Sequence, residues 1–200
     1  MGVRMARHLF LVRHGETMFN AKRIIQGWCD SPLTDTGRAQ ASRVGDYFAR
    51  KGITFDHAYA SPTGRTRETI ECITSMPYTP DDRLRELFFG AYEGERDCVI
   101  PPMPWDSFFV PFGGESLQDL QERMTDALGE IMARPGHERV LAVSHGTASQ
   151  MFLARWRDQG RCGSQGLPGN CSIMHLEFDG NGFHLLEVVE QEAMKRLLEE

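Results

Sequence analysis

His8-Leu9-Phe10-Leu11-Val12-Arg13-His14-Gly15-Glu16-Thr17 is an apolar run that stops abruptly at Arg-His-Gly. Residues 8–13 read as a buried strand, too short and too β-rich for a helix. The run sets a cation and an imidazole side by side where the strand gives way to a loop. Far downstream, Val140-Leu141-Ala142-Val143-Ser144-His145-Gly146-Thr147 repeats the design. Two apolar strands, each ending in His-Gly, predict two histidines meeting at one edge of a sheet. With arginines added, such a site suits an anion that nitrogen can attack.

Working outward, residues 16–33 read as a loop, and Thr34-Asp35-Thr36 offers helix caps. Ala41, Val44 and Phe48 follow at helical spacing, and Gly52 makes a stop. Phe55–Ala60 is a second strand, after which Ser61-Pro62 starts a helix carrying Ile70 and Ile73. Residues 83–94 look like a strand edge running into a loop. Residues 97–114 hold four prolines with Trp105, Phe108, Phe109 and Phe112, an ordered aromatic loop expected to line the pocket. Gly113-Gly114-Glu115-Ser116 opens a helix with an apolar stripe from Leu117 to Ile131. A helix covers 147–157, and 159–170 is glycine-rich loop. Strands at 171–178 and 183–189 flank the hairpin signal Asp179-Gly180-Asn181-Gly182. The last ten residues form a charged helix or fray.

Strand–helix alternation predicts an α/β layered sheet, a three-layer sandwich whose mostly parallel central sheet is flanked by helices. Ligand sites in such sheets lie beyond the carboxyl ends of strands. Three strand ends would aim Arg13, His14, Arg65 and His145 at one crevice.

The 200 residues are most simply one domain, 1–200. A net charge of −6 argues against a nucleic-acid or membrane-surface binder, so an anion must be held by a local cationic pocket. The five cysteines, Cys29, Cys72, Cys98, Cys162 and Cys171, form no CxxC pair. A reducing cytosol fits better than a disulfide framework or a zinc site. Arg4 and Arg7 precede the first strand without an apolar signal region, and no run reaches membrane-span length. The expected location is the cytoplasm. The expected partner is a small phosphorylated metabolite, and homodimer formation stays open.

Phosphoryl transfer is catalysed mainly by positioning and electrostatic stabilisation. Arginine can donate two hydrogen bonds to phosphate, helix N-termini add backbone N–H groups, and a neutral imidazole can accept a phosphoryl group. Glu86 is a candidate acid for the leaving alkoxide, though pairing with Arg83 or Arg85 on a solvated face explains it equally well. His14 and His145 as metal ligands would need HxH or HxxxH spacing and fewer neighbouring arginines. His137, His175 and His184 lack a cationic or glycine partner and read as structural.

Taken in order, Arg13-His14-Gly15-Glu16-Thr17 with Asn20, Gln26-Gly27-Trp28-Cys29-Asp30-Ser31-Pro32-Leu33-Thr34, Ser61-Pro62 with Arg65, Glu86, Gly113-Gly114-Glu115-Ser116 and Val143-Ser144-His145-Gly146-Thr147 form a combination. From Leu9 to about Glu190 the chain resembles the histidine phosphatase superfamily, the group of cofactor-dependent phosphoglycerate mutases and small broad-specificity phosphatases. The resemblance implies a phosphoglycerate mutase-like fold and phosphorylation of His14. It implies a phosphate pocket of Arg13, Arg65 and His145 with Asn20, further contacts at Gln26, Gly27 and Gly146, and Glu86 as proton donor. It implies no metal or organic cofactor.

Mutases of this family carry Glu-Arg-His-Tyr-Gly at the proton donor and a lysine shortly after. Here the run is Glu86-Leu87-Phe88-Phe89-Gly90, with Asp97 about where that lysine would be, and residues 97–122 contain no Lys or Arg. A carboxylate left unpaired there costs on the order of several kcal/mol. The expectation is therefore a metal-independent phosphatase for small monoesters with a partly apolar or aromatic leaving group. The alternatives are a cofactor-dependent phosphoglycerate mutase, a specialised phosphatase for alpha-ribazole phosphate or a sugar phosphate, and a non-catalytic phospho-ligand module.

Overall fold

Leu9 and Leu11 point to one face of the first strand and Phe10 and Val12 to the other, and all four are buried. A strand apolar on both faces must be covered on both, and the computed structural model shows how. It describes residues 6–163 and 166–200. Arg4 and two residues of the glycine-rich loop, Ser164 and Gln165, lie outside the described residues.

The strands are β1 (Arg7–Arg13), β2 (His57–Ala60), β3 (Thr79–Pro80), β4 (Arg139–Ser144), β5 (Ile173–Phe178) and β6 (Phe183–Val189). They form one sheet in the order β3-β2-β4-β1-β5-β6. The pairs β1·β4, β2·β4 and β2·β3 are parallel, while the β5–β6 hairpin joins antiparallel. Helices α4 (Leu117–Ala133) and α5 (Gly146–Arg157) cover the Leu9 face. Helices α2 (Asp35–Lys51), α3 (Gly64–Ile73) and α6 (Gln191–Glu199) cover the Phe10 face. The result is the α/β sandwich with a mostly parallel sheet that the strand–helix alternation predicts. Among the described residues no helix is long and apolar enough to cross a membrane.

Several boundaries differ from the sequence reading, each for a local reason. A five-residue helix, α1 (Met18–Lys22), occupies part of the expected 16–33 loop. Thr17 and Asn20 form a reciprocal capping box at its start. Helix α3 begins at Gly64, not at Ser61-Pro62, because a residue before proline is driven into extended backbone. The second strand starts at His57 because Asp56 spends its carboxylate on the N–H groups of Glu138 and Arg139.

The 83–94 segment is no strand edge; it carries two short 3-10 turns, Asp82–Leu84 and Gly90–Tyr92. Its carbonyls at Arg83, Arg85 and Glu86 are taken by the guanidinium of Arg123 on α4, at 2.8, 2.7 and 2.8 Å. A side chain thus replaces the ladder, and Thr79–Pro80 becomes the edge strand instead. The aromatic loop packs more than it lines. Phe109 is buried against Phe89, Tyr92, Trp105 and Phe108, and Phe112 stays exposed.

The structural histidines have partners: His137 bonds Tyr59 and stacks on His57, His175 contacts His8, and His184 lies by Asp179.

The loop after β1 passes the start of α2 at very short range. A Cβ built on Gly37 would stand 2.1 Å from the Glu16 carbonyl oxygen, and one on Gly15 would stand 2.5 Å from that of Gly37. Alanine in a helix is worth about 1 kcal/mol over glycine. The obstacle here is main chain, which cannot step aside. Gly37→Ala is therefore expected to destabilise the protein by a net of about 1–2 kcal/mol, read as a lowered urea midpoint at unchanged m value; an unchanged or raised midpoint would refute the close approach.

Candidate active site

The β1·β4 register sets Arg13 opposite Ser144, so the next residue of each chain, His14 and His145, leaves the sheet beside its counterpart. The His14 amide donates to the Ser144 carbonyl at 3.0 Å, and the two imidazole centroids lie 5.3 Å apart. The doubled His-Gly pattern thus becomes a physical pair.

His14 is buried, and its Nδ1 lies 2.8 Å from the Gly15 carbonyl oxygen. A carbonyl only accepts, so Nδ1 carries the proton and Nε2 keeps its lone pair. Among the described residues Nε2 has no hydrogen-bond partner. Burial pushes the pKa of His14 well below its ordinary 6.5, and the charges of Arg65 and then Arg13 push the same way. The ring is held neutral and aimed.

Arg65 is fully buried near the start of α3. Its Nε and Nη2 donate to His145 Nδ1 at 3.2 and 2.9 Å, Nη2 also to the Gly27 carbonyl at 2.7 Å, and Nη1 to the Cys29 carbonyl and to Asp30 at 2.9 and 3.0 Å. Those contacts use all five of its N–H groups. His145 therefore accepts at Nδ1 and donates from Nε2 to Ser61 Oγ at 2.8 Å. Burial first, then Arg65, lowers its pKa well below 6.5.

Arg13 is the contrasting cation. One end donates to the Pro168 carbonyl at 2.6 Å, while its buried Nε has no partner among the described residues. An unpaired charged donor inside a protein calls for an acceptor, and an oxyanion is the natural one. Burial lowers the Arg13 pKa; nearby Glu86 opposes that shift.

Glu86 is buried and accepts from the amides of Leu87, Thr147 and Ala148 at 2.9, 2.9 and 2.8 Å. The last two are free N–H groups of the first turn of α5, whose N-cap His145 makes no side-chain cap bond. Arg123 and the indole N–H of Trp28 both hold the Glu86 carbonyl, at 2.8 and 3.0 Å. The solvated pairing with Arg83 or Arg85 is not made: those arginines bond Asp81, Glu130 and Asp82.

The other expected contacts divide. Asn20 spends its oxygen on the Thr17 amide and on Asn170, leaving its NH2 as a donor. Gln26 links Thr17 Oγ1 at 2.7 Å to Ser31 at 3.3 Å and supports the loop from behind. Gly27 gives its carbonyl to Arg65, and a Cβ there would stand 2.2 Å from the Leu87 carbonyl. Gly146 opens α5, where a Cβ would meet Leu167 at 3.1 Å and the Arg13 guanidinium at 3.3 Å. Among the described residues no three His, Cys, Asp or Glu side chains are grouped to hold a metal ion.

Residue patterns did not announce the supports. Glu93 receives the amides of Gly27, Trp28, Cys29 and Phe89, so one carboxylate organises the loop that holds Arg65 and the segment after Glu86. Burial of the Cys29 thiol first, then the hydrogen bond and charge of Glu93, push its pKa up to about 12. Asn170 ties the His14 carbonyl, and Ser61, to which the sequence assigns no contact, orients His145.

Two buried histidines at neighbouring parallel strand ends, flanked by two arginines, define a class, and the comparisons agree. The model of the histidine phosphatase superfamily (branch 1) matches residues 9–191. A protein of Salmonella paratyphi A called "Probable phosphoglycerate mutase GpmB" is 41% identical over 191 residues, covering 85% of this chain and 84% of its own. YhfR of Bacillus stearothermophilus superposes with a TM-score of 0.80 at 33% identity, covering 93% of this chain and 97% of that one. A mycobacterial glucosyl-3-phosphoglycerate phosphatase, solved with VO3, has a TM-score of 0.76 at 26% identity, covering 92% and 98%. The chain belongs to the histidine phosphatase superfamily, and it is an enzyme of that type.

A neutral imidazole is the form able to act as a nucleophile, and burial lowers the pKa of His14 from 6.5. The acid limb of kcat/KM should therefore lie below pH 6.5; an acid limb at or above that value would contradict the neutral, buried His14. Stability follows the same linkage. His14 and His145 both have depressed values, so the unfolded chain binds protons first as pH falls below 6.5. The urea midpoint should hold above that pH and drop progressively below it, and a midpoint that rises on acidification would show the opposite shift.

Proposed function

We propose that the protein is a metal-independent phosphatase that hydrolyses small phosphate monoesters through a phosphohistidine on His14, with Glu86 as proton donor. One observation carries the reading: the neutral His14 with a free Nε2 stands next to Arg13, whose buried Nε has no partner among the described residues.

In this mechanism Nε2 of His14 attacks phosphorus. The bond from phosphorus to the ester oxygen breaks, and the electron pair leaves with that oxygen. Glu86 supplies its proton, and the three amides on its carboxylate receive the charge that remains. The proton stays on Nδ1, hydrogen-bonded to the Gly15 carbonyl, and that bond stabilises the charged ring. Arg13, the Asn20 amide and the Gly146 N–H face the phosphoryl oxygens; Arg65 acts by holding His145 and the 27–30 loop. Water then attacks phosphorus, the P–N bond breaks with its electrons returning to Nε2, and Glu86 takes the water proton.

The alcohol side favours an uncharged group. Residues 97–122 contain no Lys or Arg, and Asp97 pairs with the exposed Arg23 at 2.9 Å. The mycobacterial relative, a phosphatase by name, supports hydrolysis. The name of the Salmonella relative supports a second reading, phosphoglycerate mutase.

Phosphate release from a panel of monoesters that includes both phosphoglycerates separates the two. Hydrolysis insensitive to EDTA is expected. Interconversion of the phosphoglycerates that requires added bisphosphoglycerate, without net release, would establish the mutase. His14→Ala should lose at least about a thousandfold in kcat. Glu86→Gln should cost roughly a hundredfold or more for alkyl phosphates and far less for p-nitrophenyl phosphate. Equal losses on both substrates would remove the acid role.

A further inference from the structure

Trp28 is 44% exposed, which is unusual for a side chain so firmly held. Its amide donates to Glu93 at 2.9 Å and its indole N–H to the Glu86 carbonyl at 3.0 Å. The Phe88 ring lies 4.8 Å away at 36°, and the Arg85 guanidinium is 5.2 Å from the ring centre. On either side, the carbonyls of Gly27 and Cys29 are bound by Arg65. The indole is therefore immobilised between the cation that orients His145 and the residue that protonates the leaving oxygen. Exposing apolar surface costs on the order of 25 cal/mol per Å², and a rigid indole cannot fold away to avoid it.

A second exposed apolar side chain, Leu167, lies against Gly146 beside Arg13. Arg85, whose guanidinium lies over the indole, is paired through Nε with Asp82 at 2.8 Å.

We propose that Trp28 is the leaving-group subsite of this enzyme and that it selects phosphate monoesters whose alcohol carries a planar, uncharged aromatic ring. The proposal rests on the phosphatase reading. The oxygen that leaves must reach the Glu86 carboxyl, so the remainder of the alcohol projects past the residue whose carbonyl holds the indole. An aromatic ring gains there by stacking on a preplaced face; an alkyl chain of similar reach gains less.

Benzyl phosphate and propyl phosphate test this, because both release a primary alkoxide and only one carries a ring. The native enzyme should prefer benzyl phosphate in kcat/KM. Trp28→Ala should reduce the benzyl-to-propyl ratio about tenfold, through KM for the benzyl ester. Trp28→Phe, which keeps a flat face and loses the N–H, should retain most of the ratio. A ratio unchanged in Trp28→Ala would overturn the subsite, as would one that collapses equally in Trp28→Phe, which would show that the N–H to Glu86 is what matters. If the native protein hydrolyses neither ester, the phosphatase reading itself fails; hydrolysis of both without preference defeats the subsite alone.

Discussion

A fully buried guanidinium must have every N–H satisfied, and Arg65 meets that demand in a way that assembles the site around it. Removing one partner of a buried charge costs about 3–5 kcal/mol, so its acceptors are strongly constrained. Those acceptors are the carbonyls of Gly27 and Cys29, the Asp30 carboxylate and the Nδ1 of His145. The 27–30 loop is thereby pinned below the sheet edge, and the second histidine is pinned in one tautomer with Ser61 behind it. Glu93 holds the same loop from outside through the amides of Gly27, Trp28 and Cys29. A carboxylate and a guanidinium grip opposite sides of one peptide stretch.

The chemistry depends on an imbalance between two arginines. Arg65 has no donor to spare, whereas Arg13 keeps a buried Nε unpaired among the described residues. The same pair of charges, added to burial, keeps His14 neutral and therefore nucleophilic. An arriving phosphoryl group would satisfy Arg13 and meet the free Nε2 in one movement. Glu86 completes the arrangement because α5 starts at His145, which leaves the amides of Thr147 and Ala148 for a carboxylate from another segment.

The fold was legible where short-range rules suffice. The continuous apolar run of β1, Thr34 and Gly52 at the ends of α2, and the Asp179–Gly182 turn between β5 and β6 all follow from local backbone and burial preferences. Legibility stopped at residues 83–94, where apolar spacing suggested a strand edge. Arg123, distant in sequence, takes the carbonyls that a neighbouring strand would have taken. No window of the chain contains that information. The aromatic loop turns Phe109 inward for a similar reason, since Phe89 and Tyr92 offer that ring a dry partner.

By itself, the sequence determined that two apolar strands end in His-Gly, that arginines and one glutamate accompany them, and that residues 97–122 bring no positive charge. Side-chain type and strand period are local properties, so they survive in a bare string. Only the tertiary structure decided which nitrogen of His14 is free, that Arg65 is spent on protein acceptors while Arg13 keeps a buried Nε unpaired among the described residues, and that Trp28 is held in place with part of its surface exposed. Those outcomes depend on which carbonyls and carboxylates arrive within about 3 Å of a given donor. Segments far apart in sequence settle that jointly when they pack.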